Sequence, residues 1–284
     1  MASPRDFLRA KQNADGGWGY FPGKRSWLEP TVYAALALDG EPEADRALEL
    51  IRSWALPMGG WRTSADVAEA NWTSALALHY LEYRGQRDES TRRGLALLLR
   101  TLGMEGSFRF RLVQRLKSKV KIDSDLQGWP WRTGSASWVE PTVHSLLALR
   151  RVRPKLDGRA ATIADSRLQM AQRMLLSRQC FDGGWNYGNT LVLDEQLPSY
   201  AETTGLALIG LQGASWDRRE DAVARLGAMN RGQISALGSA WRAIATRVGA
   251  VPAASGDFDP RQDVVLNALS AVATSERAWR FFQV

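Results

Sequence analysis

The stretch Gln179-Cys180-Phe181-Asp182-Gly183-Gly184-Trp185 has the form Q-x-x-D-G-G-W, and it occurs twice in the chain. The other copy is Gln12-Asn13-Ala14-Asp15-Gly16-Gly17-Trp18, and shorter echoes lie at residues 59–62 (Gly-Gly-Trp-Arg) and 127–130 (Gln-Gly-Trp-Pro). After a polar connector, each copy is followed by a run of small and apolar residues. A motif that returns in this way indicates a repeat architecture, in which each unit buries its apolar face against its neighbours.

A second shared segment opens each apolar run. Ser26-Trp27-Leu28-Glu29-Pro30-Thr31 is matched by Ser137-Trp138-Val139-Glu140-Pro141-Thr142, and further copies begin at Glu69 and Ser199. This alignment predicts four glutamates in register, namely Glu29, Glu69, Glu140 and Glu202. Proline is tolerated in the first turn of a helix, and a glutamate there interacts favourably with the helix dipole. We therefore expect a helix to begin at each copy.

The predicted helices are of two kinds. The runs after the glutamates are apolar on nearly all sides, which predicts buried helices. Residues 43–54, 89–102, 160–178 and 216–229 combine an apolar stripe with a charged face, and residues 232–248 and 260–269 also indicate helix. Buried helices thus alternate with amphipathic ones. The fold class is predicted as all-α, with about five or six stacked helix pairs in a closed ring or a solenoid.

Size and composition fit one domain spanning residues 1–284. The hydrophobic content of 45% allows a sizeable core, and the 24% of charged residues is typical of soluble proteins. The single cysteine, Cys180, excludes an internal disulfide. The chain start has no apolar segment of the kind that a signal peptide needs, so we expect a cytoplasmic location. The net charge of +7 allows nucleic acid, anionic lipid or acidic substrates as partners, but it is interpreted as plain solubility, and no nucleic-acid partner is predicted.

A basic segment at residues 104–121 stands apart from the repeat. Phe108, Leu112, Leu116 and Val120 are four residues apart and fall on one side of a helix, among basic residues. Such a helix can lie on an anionic membrane surface, which would make the protein peripheral to the membrane. The alternative is an outer helix that packs on its neighbours and has a solvated basic face.

The repeat resembles the QW motif of the squalene–hopene and oxidosqualene cyclases. The resemblance lies in Phe7-Leu8-x-x-x-Gln12-x-x-x-Gly16-Gly17-Trp18, and residues 174–185 match it with Met174 in place of the aromatic residue. The wider superfamily, terpenoid cyclases and protein prenyltransferases, includes the prenyltransferase β-subunits. The resemblance implies an α/α toroid in which the motif glutamines and tryptophans brace the outer helices. It also implies a hydrophobic, isoprenoid-like substrate in a central cavity.

The resemblance implies that the catalytic acid lies at the beginning of an inner helix. The cyclases carry their acid there in a D-x-D-D-T-A motif, and in this chain Glu29-Pro30-Thr31 and Glu140-Pro141-Thr142 stand in place of D-D-T. Grouped carboxylates raise one another's pKa, and a protonated carboxyl can protonate an alkene or epoxide. The candidate catalytic residues are therefore Glu29, Glu69, Glu140 and Glu202. The alternative is that each glutamate only caps its helix.

Glu140 differs from the other three because His144 lies one turn further along the same helix. Their side chains can meet, and a carboxylate–imidazole pair can donate or relay a proton. The alternative for His144, and for His79, is a role in core packing. The candidate substrate-binding side chains are the aromatic residues near the glutamates, namely Trp27, Trp72, Trp131, Trp138 and Tyr200. No cofactor is predicted.

Other classes of function fit the sequence less well. A prenyltransferase zinc site needs Asp, Cys and His ligands, but Cys180 lies inside the motif turn and no metal-ligand spacing is present. The sequence has no P-loop, dinucleotide fingerprint or G-x-S-x-G motif. Two alternatives stay open: a non-catalytic toroid that binds a partner or a glycan, and a glycan-processing toroid with paired carboxylates.

Overall fold

The structure of the chain is a computed structural model that describes residues 3–108, 110, 112, 123–229, 234–251 and 262–284. Within these ranges it forms eleven α-helices, which confirms the all-α class, and two small β-hairpins that the sequence did not predict. The helices are α1 (Pro4–Ala10), α2 (Leu28–Ala37), α3 (Pro42–Ser53), α4 (Thr73–Tyr83), α5 (Glu89–Arg100), α6 (Val139–Val152), α7 (Gly158–Ser177), α8 (Ala201–Gly210), α9 (Arg219–Ala228), α10 (Ala236–Arg247) and α11 (Val264–Thr274). The hairpins pair β1 (Arg62–Ser64) with β2 (Val67–Ala70) and β3 (Leu191–Val192) with β4 (Glu195–Gln196).

Six of the described helices form a closed inner ring. α2 packs on α4, α4 on α6, α6 on α8, α8 on α10, α10 on α11, and α11 packs back on α2. The outer layer consists of α3 on α2, α5 on α4, α7 on α6 and α9 on α8. α1 packs on α11, so the first outer helix pairs with the last inner helix and closes the second layer. The architecture is an α/α toroid.

Burial separates the two layers as the sequence pattern predicts. Every residue of α2 except Glu29 is buried, and every residue of α8 except Glu202. The outer helix α3 buries only a stripe of Ala44, Ala47, Leu48 and Ile51. Inner helices are covered on all sides by neighbours, whereas outer helices keep one face in water. The exceptions in these two inner helices are the register-matched glutamates Glu29 and Glu202.

The motif glutamines brace the turns, as the resemblance implies. Gln12 donates from Nε2 to the carbonyls of Gly16 and Glu43, both at 2.8 Å. Gln179 donates in the same way to Gly183 at 2.7 Å and Arg218 at 3.0 Å. Each glutamine therefore ties its own turn to a backbone carbonyl at the beginning of the next outer helix.

The motif tryptophans complete the brace from the other side. The indole N–H groups of Trp18, Trp129 and Trp185 donate to the carbonyls of Leu8, Leu98 and Leu175, at 2.8, 2.9 and 2.7 Å. These carbonyls belong to the last turns of α1, α5 and α7. The tryptophan thus caps the outer helix that precedes it while its ring fills the space between the layers.

The first glycine of each full motif is required by a close approach. Gly16 and Gly183 have φ values of 88° and 96°, in the left-handed region that favours glycine. A Cβ atom on either residue would lie 2.9 Å from a carbonyl oxygen of the next outer helix, that of Arg46 or Asp221. The motif therefore allows the turn to touch the neighbouring helix backbone directly.

A 3₁₀ helix, Ala278–Phe282, closes the ring at the end where the inner helices finish. It contacts α2, α10 and α11, and both Phe281 and Phe282 are fully buried. Arg151, in the last turn of α6, donates to the Phe281 carbonyl at 2.9 Å, and Gln212, after α8, donates to the Phe282 carbonyl at 2.8 Å. Phe281 and Phe282 therefore fill the centre of the toroid from this end.

The basic segment predicted at residues 104–121 lies partly outside the described residues. Met104–Gly106 is a 3₁₀ helix, and residues 108, 110 and 112 are helical. Residues 109, 111 and 113–122, with most of the predicted basic face, lie outside the described residues. Membrane contact through this segment remains a prediction.

Candidate functional site

Three of the four predicted glutamates lie where the inner helices begin. Glu29, Glu140 and Glu202 are each the second residue of their helix, in α2, α6 and α8. The register is set by a hydroxyl group two residues further on. Thr31, Thr142 and Thr204 each accept, through Oγ1, the backbone N–H of the motif tryptophan, at 2.9–3.0 Å.

Glu69 does not share this register, so the predicted fourth member of the set needs correction. In the third copy the hydroxyl that accepts the Trp61 N–H is Ser74 Oγ, at 3.1 Å. Two residues before Ser74 is Trp72, which therefore holds the place of the glutamate. Glu69 lies in strand β2, is 62% exposed, and faces Arg132 at 3.7 Å. In this copy the glutamate stands three residues before the tryptophan (Glu69-Ala70-Asn71-Trp72), whereas in the first copy it follows the tryptophan by two residues (Trp27-Leu28-Glu29). An alignment that matches the glutamates therefore does not match the beginnings of the helices.

A cavity of about 260 Å³ opens at the beginning of the inner helices. Its polar wall consists of Tyr20, Glu29, Glu140 and Asp263. The rest of the lining is apolar or aromatic and comprises Tyr33, Leu237, Trp241, Val265, Leu266 and Leu269. The toroid therefore holds carboxyl groups at the wall of an otherwise apolar chamber.

Aromatic side chains form the floor of this cavity. Trp241 borders it, and the Phe282 ring packs edge-on behind Trp241 with the centroids 5.4 Å apart. The Tyr33 hydroxyl lies 3.1 Å from Nε2 of His144. Deeper in the ring, His79 stacks on Phe281 with the centroids 3.9 Å apart, as expected for a packing role. The far half of the toroid is therefore filled by side chains.

Burial makes Glu140 a weak acid that is protonated at neutral pH. Its pKa is raised to about 8, chiefly because the surrounding protein disfavours the charged form, and further by the negative charges of Glu29 and Glu202. No described residue donates a hydrogen bond to it. Its carboxyl group faces the cavity, so part of its surface stays accessible although protein surrounds it.

Glu29 shares this environment but has a partner. Burial raises its pKa to about 7, and the negative charge of Asp263 adds to the rise. The Tyr20 hydroxyl donates to Glu29 Oε2 at 2.6 Å, which acts in the opposite direction by stabilising the carboxylate. Of the two carboxyl groups, Glu140 is therefore the one more fully protonated at pH 7.

A tyrosine two residues after the motif tryptophan distinguishes the copies. Tyr20 follows Trp18 and donates to Glu29, and Tyr187 follows Trp185 and donates to Glu202 at 3.0 Å. In the copy that contains Glu140, this position is Trp131, which packs against Trp72 with the centroids 5.0 Å apart. Glu140 lacks a tyrosine donor because of this replacement, a signal that is visible in the sequence.

The expected Glu140–His144 pair is not formed. The structure gives no hydrogen bond between the two side chains, and the His144 ring instead lies among Tyr33, Trp72 and Trp241. Burial lowers the His144 pKa to about 3, so the ring is neutral. His144 is the residue on α6 that corresponds to Tyr33 on α2, since each follows its glutamate by four positions. Inner-helix side chains at this level point to the centre and meet across the ring.

None of the five predicted substrate-binding aromatic residues lines the described cavity. Trp27 packs on Tyr20 at 6.1 Å, and Tyr200, which is 44% exposed, packs on Tyr187 at 5.6 Å. Trp138 precedes α6 as its N-cap residue. Trp72 and Trp131 pack edge to face, with their ring planes at 87°.

Four lining residues were not predicted as site residues: Tyr20, Tyr33, Trp241 and Asp263. Tyr33 could have been found from its alignment with His144, and Tyr20 from its place after the motif tryptophan. Trp241 and Asp263 lie in the later part of the chain, where the repeat pattern is weak. Asp263 caps α11 by accepting the Leu266 N–H at 2.9 Å.

Two structural features are absent from the described residues. No helix in them combines the length and the apolar character needed to cross a bilayer. No group of three or more His, Cys, Asp or Glu side chains in the same residues is arranged to hold a metal ion. Cys180 is buried inside its turn, and burial raises its pKa to about 11.

The raised pKa of Glu140 predicts a pH-dependent stability. Between the ordinary value of 4.5 and about 8, the folded state binds more protons than the unfolded state. The stability that this group contributes is therefore complete below about 4.5 and is lost as the pH rises towards 8. We expect Glu140→Gln to match the wild type in urea unfolding at pH 4.5 and to become progressively more stable relative to it up to pH 8. Parallel stability curves would contradict the assignment.

The toroid has the fold of type II terpene cyclases of known structure. It is similar to MstE from Scytonema, with a TM-score of 0.55 and 18% identity over 95% of this chain and 96% of that one. It is also similar to ent-copalyl diphosphate synthase from Streptomyces platensis, with a TM-score of 0.55 and 14% identity over 90% of this chain and 50% of that one. A variant of MstE in complex with geranylgeranyl dihydroxybenzoate, its substrate, gives a TM-score of 0.54 at 19% identity, over 95% of this chain and 74% of that one.

Sequence comparison gives a shorter match. Drimenyl diphosphate synthase of Streptantibioticus cattleyicolor is 42% identical over 66 residues, which are 22% of this chain and 12% of that protein. No protein-family model matches the chain. The similarities establish the terpenoid cyclase α/α-toroid fold, as the QW motif predicts.

Proposed function

We propose that this toroid binds a hydrophobic isoprenoid-type molecule in its central cavity and protonates it, which initiates cyclisation or isomerisation. Glu140 is the proton donor. The observation that carries the proposal is a carboxyl group that is protonated at neutral pH, accepts no hydrogen bond from the described residues, and faces an apolar, aromatic cavity. A general acid must hold its proton at the working pH and still release it to the substrate, and a pKa near that pH satisfies both conditions.

The step follows from this arrangement. An alkene π pair forms a C–H bond with the acidic proton of Glu140 while the O–H bond breaks, which leaves a carboxylate and a carbocation. The faces of Tyr33 and Trp241 attract the developing cation through their ring quadrupoles. The cation loses a proton to end the reaction, so the overall change is an isomerisation with no net consumption of acid.

Glu29 has a supporting role in this proposal. Its negative charge contributes to the raised pKa of Glu140 and so favours the acid form before the step. Tyr20 holds Glu29 by a 2.6 Å hydrogen bond, which stabilises the carboxylate form of Glu29. Two neighbouring carboxyl groups with different partners have separated pKa values, which is the usual basis for assigning one of them as the acid.

The cavity size favours a short isoprenoid segment. A volume of 260 Å³ lies at the small end of the roughly 300–1,000 Å³ that ligand pockets usually have, which favours a short isoprenoid chain over a long one. Longer chains meet Trp241, which Phe282 supports from behind. The floor thus sets how much of a substrate can enter.

Binding of prenyl alcohols tests this proposal. We expect wild-type protein to bind geraniol more tightly than geranylgeraniol, monitored by quenching of tryptophan fluorescence. Phe282→Ala removes the support of Trp241, so the ring can tilt back and the preference should shift towards farnesol. Phe281→Ala is the matched control: it removes an equally buried ring from the same segment, but one that stacks on His79. The absence of binding by all three alcohols would contradict the proposed function.

A further inference from the structure

We infer that the cavity accepts an isoprenoid with an uncharged head group, such as an alcohol, an epoxide or a hydrocarbon end, and discriminates against isoprenoid diphosphates. The inference rests on the proposed function and adds the class of substrate. Its basis is the distribution of charge around the mouth of the toroid.

Acidic side chains surround the mouth. Glu29, Glu140 and Asp263 line the cavity, and Glu202 begins the neighbouring inner helix α8. These groups interact with one another, since Glu140 experiences the charges of Glu29 and Glu202, and Glu29 that of Asp263. Because Glu140 is protonated at neutral pH, the negative charge at the mouth comes from Glu29, Glu202 and Asp263, and a ligand whose head group lies there enters a site of negative potential.

The described lining contains no arginine or lysine to offset this potential. Three basic side chains on the described connectors that lead into α2, α4 and α6 have other partners. Arg25 pairs with Asp66 at 2.8 Å, and Arg132 faces Glu69 at 3.7 Å. Arg62 donates to the carbonyl of Ala65 at 2.9 Å. Diphosphate recognition usually relies on arginine, lysine or a metal ion that contacts the phosphate oxygens.

Binding of a diphosphate at the mouth of the toroid is energetically unfavourable. A diphosphate carries several negative charges, and moving charge out of water without compensating partners is strongly unfavourable. Repulsion between like charges is also stronger near a protein surface than in bulk water. An uncharged oxygen avoids both effects, and it can accept a hydrogen bond from protonated Glu140 or donate one to Glu29.

A paired binding measurement tests the inference. Wild-type protein is titrated at pH 7 with geraniol and with geranyl diphosphate, with tryptophan fluorescence as the readout. We expect geraniol to bind at least tenfold more tightly. The double variant Glu29→Gln/Glu202→Gln removes charge from the mouth, so it should bind the diphosphate at least tenfold better than wild type does. Glu69→Gln is the control, because it neutralises an exposed carboxylate outside the cavity and should change neither affinity.

The possible results distinguish failure of this inference from failure of the proposed function. Geranyl diphosphate binding as tightly as geraniol would overturn the inference and leave the proposed function standing. Failure of both ligands to bind would overturn the proposed function itself. A gain in diphosphate affinity for Glu69→Gln equal to that of the double variant would show that net charge, and not the mouth, determines the discrimination, and would also overturn the inference.

Discussion

Glu140→Gln is expected to reduce the turnover of an isoprenoid substrate by a factor of about 10²–10⁴, the usual contribution of a general acid. Glutamine keeps the size and shape of the side chain but has no acidic proton to transfer. Substrate binding should change little, because the cavity keeps its lining. The measurement is steady-state turnover of a bound prenyl alcohol, with product detected by gas chromatography and mass spectrometry.

The pH profile of the wild type gives this prediction a second readout. Only the protonated form of Glu140 can act, so turnover should be constant at low pH and should fall as the pH rises through about 8. Glu69→Gln should behave as wild type because Glu69 is exposed and lies in strand β2. Unchanged turnover in Glu140→Gln would exclude Glu140 as the proton donor.

Glu105→Gln is expected to lower the free energy of unfolding by about 3–5 kcal/mol, the usual effect of breaking a buried ion pair from one side. Glu105 is fully buried and pairs with the equally inaccessible Arg178 at 2.8 Å. It also accepts the Ser137 N–H at 2.7 Å. The substitution would leave the Arg178 guanidinium without its counter-charge. Urea unfolding at pH 7 measures the loss.

The motif aspartates provide a matched control for this variant. Asp15 accepts the hydroxyl of Ser26, the residue that corresponds to Ser137 in the first copy, at 2.8 Å. Asp15 is exposed, and asparagine keeps the acceptor, so Asp15→Asn should cost about 1 kcal/mol or less. A loss for Glu105→Gln no greater than that for Asp15→Asn would contradict the role assigned to the buried pair.

Much of the fold could be predicted from the sequence because local chemistry specifies it. The repeated glutamine and tryptophan each satisfy backbone groups within one or two helices of their own position, as the bonds of Gln179 and Trp185 show. The apolar runs that became inner helices are buried on all sides in the structure. Closure of the ring is a long-range property, since it needs α11 to pack on both α1 and α2.

The candidate site was harder to predict because it is assembled across the ring. Matching residue types along the chain gave the wrong register for Glu69. The structural register is set by the Ser74 hydroxyl, which puts Trp72 at the position that the glutamates hold in the other copies. Spacing along one helix suggested that Glu140 meets His144, but the His144 ring is held by Tyr33 from α2. No sequence pattern pointed to the buried role of Glu105, because it lies outside the repeat and is 32 residues from Ser137, whose N–H it accepts.

The most direct test of the account is solvent deuterium incorporation into the product of a prenyl alcohol incubated with the protein in D₂O. Proton-initiated cyclisation or isomerisation transfers one solvent-derived hydrogen to carbon. We predict product that is one mass unit heavier than that formed in H₂O, after exchange of the hydroxyl, and loss of this product in Glu140→Gln. Product without deuterium, or labelled product formed equally well by Glu140→Gln, would contradict the claim that Glu140 protonates an isoprenoid in this cavity.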